Sequence, residues 1–298
     1  MDLVLAVSTF NGDLEALELV RNACTVAFAG VFTHVAVVDS GDPDRCAQLR
    51  GILARDHPDV DYLWSEGNLG AAGNLSRRLE WARRVGADAM LAVNADGCID
   101  PRNTNVMAEV MIDRHAAAVY PTAVLEGDRV DLSYRHPVPI WPSRHPLSML
   151  RSMSTVSVSW GSSNGALYRL AALDAIEFER IVDVWHGWED LALGLALRAQ
   201  GALQLMSLRA VQPTASDQRR LGGKGPVVSD KAPWTTYYTV RNLLLISRDH
   251  PRLRHRIALR ILREFGVILL RDDRRGRYRA ALAGLREGIE SRTGRRGE

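Results

Sequence analysis

The chain opens Met1-Asp2-Leu3-Val4-Leu5-Ala6-Val7-Ser8-Thr9-Phe10-Asn11-Gly12, and this stretch decides the fold. Leu3 to Val7 is a short, continuous apolar run that ends in polar residues, the pattern of a central parallel strand buried on both faces. Thr9, Asn11 and Gly12 then fall at its C-terminal end. Leu14, Leu17, Val20 and Arg21 recur at spacings of three and four, which predicts a helix from about Leu14 to Thr25. His34-Val35-Ala36-Val37-Val38 is a second strand and stops at Asp39-Ser40-Gly41-Asp42-Pro43. Strand, helix and strand make a βαβ unit, and ligands of such sheets collect beyond the carboxyl ends of the strands. Asp before Ser-Gly is commonly a turn residue. Two polar tips on one sheet edge also suit a nucleotide, whose base and ribose offer donors to a carboxylate.

The pattern continues outward. Asp61-Tyr62-Leu63-Trp64 predicts a third strand, followed by Glu66-Gly67-Asn68-Leu69-Gly70-Ala71-Ala72-Gly73-Asn74 and a helix through about Arg84. The glycine spacing is not that of a dinucleotide fingerprint and does not follow the first strand, so tight packing through Gly70 and Gly73 is the plain structural reading. Ala89 to Val93 is another buried strand, ending Asn94-Ala95-Asp96. A carboxylate at a strand tip facing a nucleotide is a natural Mg²⁺ ligand alongside diphosphate oxygens. Thr122 to Met153 carries Pro137, Pro139, Pro142 and Pro146, which predicts an excursion or mobile loop without a long helix. Ser154 to Ser159 and Ala202 to Val211 read as strands, and Leu221 to Pro226 as a basic loop.

Between them, Glu189-Asp190 opens a leucine-rich helix that is apolar nearly all round and stops at Gly201, so the helix is expected to be buried. Carboxylates at a helix N-terminus are ordinary caps, and they are also where the macrodipole favours an anion. Trp185, His186 and Trp188 beside the pair make an apolar-walled acidic site suited to a sugar ring and a base.

Trp160-Gly161-Ser162-Ser163-Asn164-Gly165 followed by Trp188-Glu189-Asp190-Leu191 resembles the acceptor half of family 2 glycosyltransferases of the GT-A fold. The resemblance runs in order over about residues 1–250. Val38 to Asp42 is similar to the family's Asp-Asn-Gly-Ser segment, and Glu66 to Asn74 to its Glu-Asn-Leu-Gly-x-Ala-Gly-Asn stretch. Asn94-Ala95-Asp96 stands where Asp-x-Asp is common, and Gln212 where many relatives place a metal-binding His. Tyr237-Tyr238 with Arg241-Asn242 is similar to a pattern of rhamnosyl- and galactofuranosyl-transferring relatives. The resemblance implies an α/β GT-A fold, a Rossmann-like mixed sheet flanked by helices, with a catalytic domain over residues 1–225 and a C-terminal helical region over 226–298. It implies inverting transfer from a nucleoside diphosphate sugar to an acceptor hydroxyl, with Asp190 as general base and Glu189 beside it. Thr9, Asn11, Asp39, Asn68, Gly70, Asn74, Asn94 and Asp96 would face the donor. Trp160, Gly161, Trp188 and Arg241 would face the acceptor, a glycan, a lipid-linked or a small molecule. Mg²⁺ or Mn²⁺ would bind through Asp96 together with the donor diphosphate.

Composition agrees with one large α/β domain: 298 residues, 46% hydrophobic and a net charge of +3. Three cysteines without metal-ligand spacing suit a reduced, cytoplasmic setting, and neither a signal peptide nor a run long enough to span a membrane is evident. Nothing points to nucleic acid. Residues 251–298 hold fourteen arginines and no lysine against six acidic residues. From His255 to Arg271, Ile257, Ile261, Leu262, Phe265, Ile268 and Leu269 share one face and Arg256, Arg260 and Arg263 another. Such a helix packs on its own domain, forms a homodimer, or lies on anionic lipid as a peripheral contact. Two rival functions are a sugar-nucleotide pyrophosphorylase, whose Gly-Thr-Arg loop is missing from Leu3 to Asp13, and a catalytically silent sugar- or nucleotide-binding protein, motivated by Asn94 and Gln212.

Overall fold

The structure is a computed structural model that describes residues 1–25, 30–125, 128–150, 152–213, 218–220, 227–229 and 232–296. Strands and helices alternate through the first part: β1 (Leu3–Phe10), α1 (Glu15–Ala23), β2 (His34–Gly41), α2 (Pro43–Asp56), β3 (Asp61–Glu66), α3 (Gly70–Arg84), β4 (Ala89–Asn94) and α4 (Pro101–Asp113). β1 pairs in parallel with β2 and β4, and β2 with β3, so the polar tips meet on one edge as expected. Side chains alternate along β1. Val4 and Ala6 pack with Leu75 and Leu79 of α3. Leu3, Leu5 and Val7 pack with Leu17 and Val20 of α1 and Met107 and Met111 of α4. Both faces are therefore dry, each fully buried leucine adding about 1.5–3 kcal/mol. Asp42 and Asp100 cap α2 and α4, each followed by a proline in the first helical turn.

The second part comprises β5 (Ala118–Leu125), β6 (Arg129–Asp131), β7 (Arg144–Pro146), β8 (Thr155–Ser157), β9 (Ala166–Arg169), α5 (Phe178–Val182), α6 (Glu189–Ala199), β10 (Gln204–Pro213), β11 (Gln218–Arg220), β12 (Val227–Ser229), α7 (Trp234–Asp249), α8 (Arg254–Ile268) and α9 (Arg274–Ile289). The sheet runs β3-β2-β1-β4-β9-β5-β10-β8, with β6 and β7 added to the side of β5. β9 was not expected. It has four residues, too few to show a period, and it enters antiparallel between β4 and β5. The proline-rich stretch expected as a loop also holds the pair β6–β7, in which Asp131 lies opposite Arg144. Leu221 to Pro226 lie outside the described residues.

α6 is buried on two sides, as its sequence requires. Leu193 and Leu197 join the sheet core. Leu191 and Leu195 meet Val240, Leu243 and Ile246 of α7, Ile257, Ile261 and Ile268, and Ala281 of α9. The apolar face of α8 is thus covered mainly by its own chain, although Leu262 and Leu269 remain 65% and 61% exposed. Gly194 allows α6 to approach Trp160 closely, because an added Cβ would overlap that residue. Among the described residues no helix is long and apolar enough to cross a membrane.

Candidate active site

On the β1–β2 edge, Thr9 lies opposite Asp39, and both are buried. The Asp39 carboxylate accepts from the Tyr62 hydroxyl at 2.7 Å and from the Gly12 N–H at 3.3 Å. Asn11 adopts φ 56° and its Oδ1 accepts from the Asp42 N–H at 3.0 Å, so the two strand tips are tied together. Burial and Asp39 push the neighbouring Cys46 thiol up to about 11, and drive the Tyr62 phenol well above its ordinary value. Asp39, expected to face the donor nucleoside, is fully enclosed, with its carboxylate turned to Tyr62 and Gly12.

Asn68, Gly70 and Asn74 are the next residues expected to face the donor. Asn68 Oδ1 accepts from the Gly70 N–H, and the Asn68 carbonyl accepts from Trp185 Nε1 at 3.1 Å. Gly70 has φ +67°, and the space a Cβ would fill belongs to the Trp185 carbonyl and ring. A glycine is needed here on both counts, and its neighbour is the acceptor-side loop. Asn74 is buried with its Oδ1 unpartnered. One turn further along the same helix face, Arg78 is 2% exposed and donates to the Val93 carbonyl. Burial lowers its pKa to about 10, and the charges of Tyr168 and Glu189 oppose that shift. Beside Arg77, Arg83 and Arg84 it reads as one more solvated arginine; its place between Leu75 and Ala82 at helical spacing is the signal that marks it as inward.

A cavity of about 530 Å³ lies beyond the β4 and β5 ends, lined among others by Asp96, Tyr120, Tyr134, Gly161, Asn164 and Gln212. Asn164 Oδ1 accepts from the Asn94 N–H at 3.0 Å, which joins the donor edge to the Ser162–Asn164 turn. Asp96 is exposed at the cavity wall, and the Gln212 amide faces the same space. Among the described residues no three His, Cys, Asp or Glu groups gather to hold a metal ion. One carboxylate and one amide oxygen are hard ligands, and they fit a divalent cation whose shell is completed by a diphosphate.

Asp190 lies at the first turn of α6, where its Oδ1 accepts from the Leu191 N–H at 2.8 Å. Its charge acts on two rings that line the cavity. Tyr120 is pushed well above the ordinary phenol value by burial, then by Tyr168 and Asp190; Tyr134 is raised by burial, then by Asp190 and Asp131. The loop that delivers it is strained, with Trp185 at φ 58° and Trp188 at φ 71°. Left-handed positions for bulky residues cost about 1–3 kcal/mol each and persist only where neighbours enforce them. Arg241 and Asn242 are those neighbours. Arg241 donates to the Val184 carbonyl at 2.9 Å and to the Gly294 carbonyl; Asn242 Nδ2 donates to the carbonyls of His186 and Gly187 at 2.8 and 2.7 Å. Arg241, expected to face the acceptor, is fully buried here and stacks on Tyr237 and Tyr238. The Tyr-Tyr-x-x-Arg-Asn pattern is thus a clamp on the acidic loop. Trp160 is likewise 6% exposed, donating to the His136 carbonyl and packed on Tyr134 and Trp188.

The model of glycosyl transferase family 2 matches residues 5–176, more than half of the chain. The chain belongs to glycosyl transferase family 2. Solved structures agree on the fold. The 1–349 fragment of S. aureus TarS superposes with a TM-score of 0.55 at 16% identity, over 97% of this chain and 81% of that one. The mannosyltransferase PcManGT from Pyrobaculum calidifontis, in complex with GDP-Man and Mn²⁺, gives 0.55 at 15% identity, over 97% and 75%. No curated protein sequence matches the chain. The glycosyltransferase therefore carries a GT-A fold, a mixed α/β sheet flanked by helices with further helices at its C-terminal end.

Proposed function

We propose that this glycosyltransferase moves a sugar from a nucleoside diphosphate to an acceptor hydroxyl with inversion, and that Asp190 is the general base. One observation carries the reading: Asp96 lines one wall of the 530 Å³ cavity, and Asp190 acts on Tyr120 and Tyr134 in another. In this reading a leaving group held near Asp96 and a base at Asp190 would address one space. The acceptor oxygen attacks the anomeric carbon in line, its proton passes to Asp190, and the bond to the diphosphate oxygen breaks with both electrons. Asp96 and Gln212 would hold a divalent cation with the diphosphate, and that ion would offset charge on the leaving group. The enclosed tips around Thr9, Asn11 and Asp39 would shape the nucleoside end, and Asn74 Oδ1, without a hydrogen-bond partner among the described residues, would accept from the donor. Residues 1–225 form the catalytic domain in this reading, and residues 226–298 brace its acidic loop. The GDP-Man and Mn²⁺ of the Pyrobaculum enzyme are consistent with such a donor and metal.

The test is Asp190→Asn. Donor binding should persist by calorimetry while transfer falls about 10²–10⁴-fold, the worth of a positioned base. Undiminished transfer would remove Asp190 from this role.

A further inference from the structure

A second cavity of about 260 Å³ adjoins the first, with Tyr134 lining both. Arg144 of β7, Arg260 and Arg263 of α8, and Arg271 beyond it converge there, and the acidic lining residues are Asp131 and Glu264. Four guanidinium groups thus face two carboxylates, and both carboxylates are engaged. Glu264 is buried between Arg260 at 3.0 Å and Arg271 at 3.6 Å, and Asp131 Oδ1 accepts from the Ser133 N–H at 2.9 Å. Arg263 makes no ion pair among the described residues; its guanidinium rests over the Trp141 ring at 5.3 Å. Burial and then the charge of Arg260 hold its pKa below the ordinary guanidinium value, with Glu264 opposing and Arg271 adding to the shift. Cations gathered in a half-buried pocket repel one another, and an entering anion relieves that repulsion.

The place of the pocket says what the anion belongs to. Trp188 lines it and directly precedes Glu189 and Asp190, whereas Asp96 lines only the other cavity. A group bound among these arginines lies on the acceptor side of Asp190, away from the donor diphosphate. Planar guanidinium forks match tetrahedral oxyanions bidentately, and the Trp141 and Trp188 rings give an apolar flank to whatever carries the group. We propose that this cavity binds a phosphate group carried by the acceptor, so that the acceptor is anionic and its phosphate sets the distance of the reacting hydroxyl from Asp190. The proposal rests on the glycosyl-transfer reading for the word acceptor; the anion site itself does not.

The experiment titrates inorganic phosphate into the intact protein by calorimetry, for wild type, Arg263→Gln, Arg263→Lys and Arg252→Gln. Arg252 is an exposed arginine outside the cavity and serves as the charge control. Phosphate should bind wild type and Arg252→Gln alike, and about 10- to 100-fold more weakly to Arg263→Gln, the worth of a charge-assisted bond. Arg263→Lys, which keeps the charge, should recover part of the loss, and circular dichroism checks the fold of each variant. A parallel arm uses phosphatidylcholine vesicles with and without phosphatidic acid. Binding to phosphatidic acid that falls with Arg263→Gln but not Arg252→Gln assigns a lipid-borne phosphate; Arg263-dependent binding of inorganic phosphate alone assigns a soluble one. Wild type binding neither probe, or Arg263→Gln binding both as wild type does, overturns the proposal. Hydrolysis of nucleotide sugars by the wild type is measured separately and reports on the transfer reading, whatever the anion result.

Discussion

At the proposed donor end, Thr9 lies opposite Asp39 and Ser8 opposite Asn94 in neighbouring parallel strands. At the proposed acceptor end, the loop carrying Asp190 is held by Arg241 and Asn242, which reach carbonyls 55–57 residues away in the chain. Strand pairing fixes the first arrangement as soon as the sheet forms. The second needs α7 and its buried cation to hold backbone that would otherwise leave the left-handed region. The donor end should therefore tolerate single changes without losing its shape, while the acceptor end should lose shape and chemistry together. Arg78 belongs to both, since it donates to the end of β4 and its charge is felt with that of Glu189.

Arg241→Leu is the hardest blow to this contrast. It strands the buried Val184 carbonyl and the part-buried Gly294 carbonyl, so denaturant unfolding should show a loss on the order of 3–5 kcal/mol, with transfer failing in step. Stability within about 1 kcal/mol of wild type would mean that the acidic loop holds itself, against the usual cost of orphaned carbonyls. Asp96→Asn probes the donor end. Asp96 is exposed, so the unfolding midpoint should stay put while transfer drops about 10²-fold, the size of one lost electrostatic contact at a leaving group. A matching fall in stability would erase the distinction between the two ends. Tyr62→Phe removes the hydroxyl that donates to buried Asp39 and should cost about 1.5 kcal/mol, read as a lower melting temperature and weaker donor binding. Trp160→Phe should be mildest, near 1 kcal/mol for the bond to the His136 carbonyl, and a larger loss would show that Trp160 does more than wall the cavity.

The same contrast explains what the sequence discloses. β1, β2 and β4 are continuous apolar runs with polar tips, so their order and the positions of Thr9, Asp39 and Asp96 follow from local pattern. α6 is apolar all round and its burial follows too. Arg241 and Trp160 could be picked out as motif residues, yet their work as braces depends on Val184 and His136, which no periodicity brings near. β9 is legible only once β4 and β5 stand on either side of it. Arg260 and Arg263 belong to the basic face of an amphipathic helix on paper. In the fold that face meets β7 and the Trp141 segment, and a solvated stripe becomes a cavity wall.

In-line displacement, with the leaving group at Asp96 and the base at Asp190, can be followed with water standing in for the acceptor. Proton NMR of a nucleotide sugar of known anomeric configuration, hydrolysed by the enzyme, reads the configuration of the first free sugar before it mutarotates. The inverted anomer should appear first, with its release slowed in Asp190→Asn. First appearance of the retained anomer would contradict it.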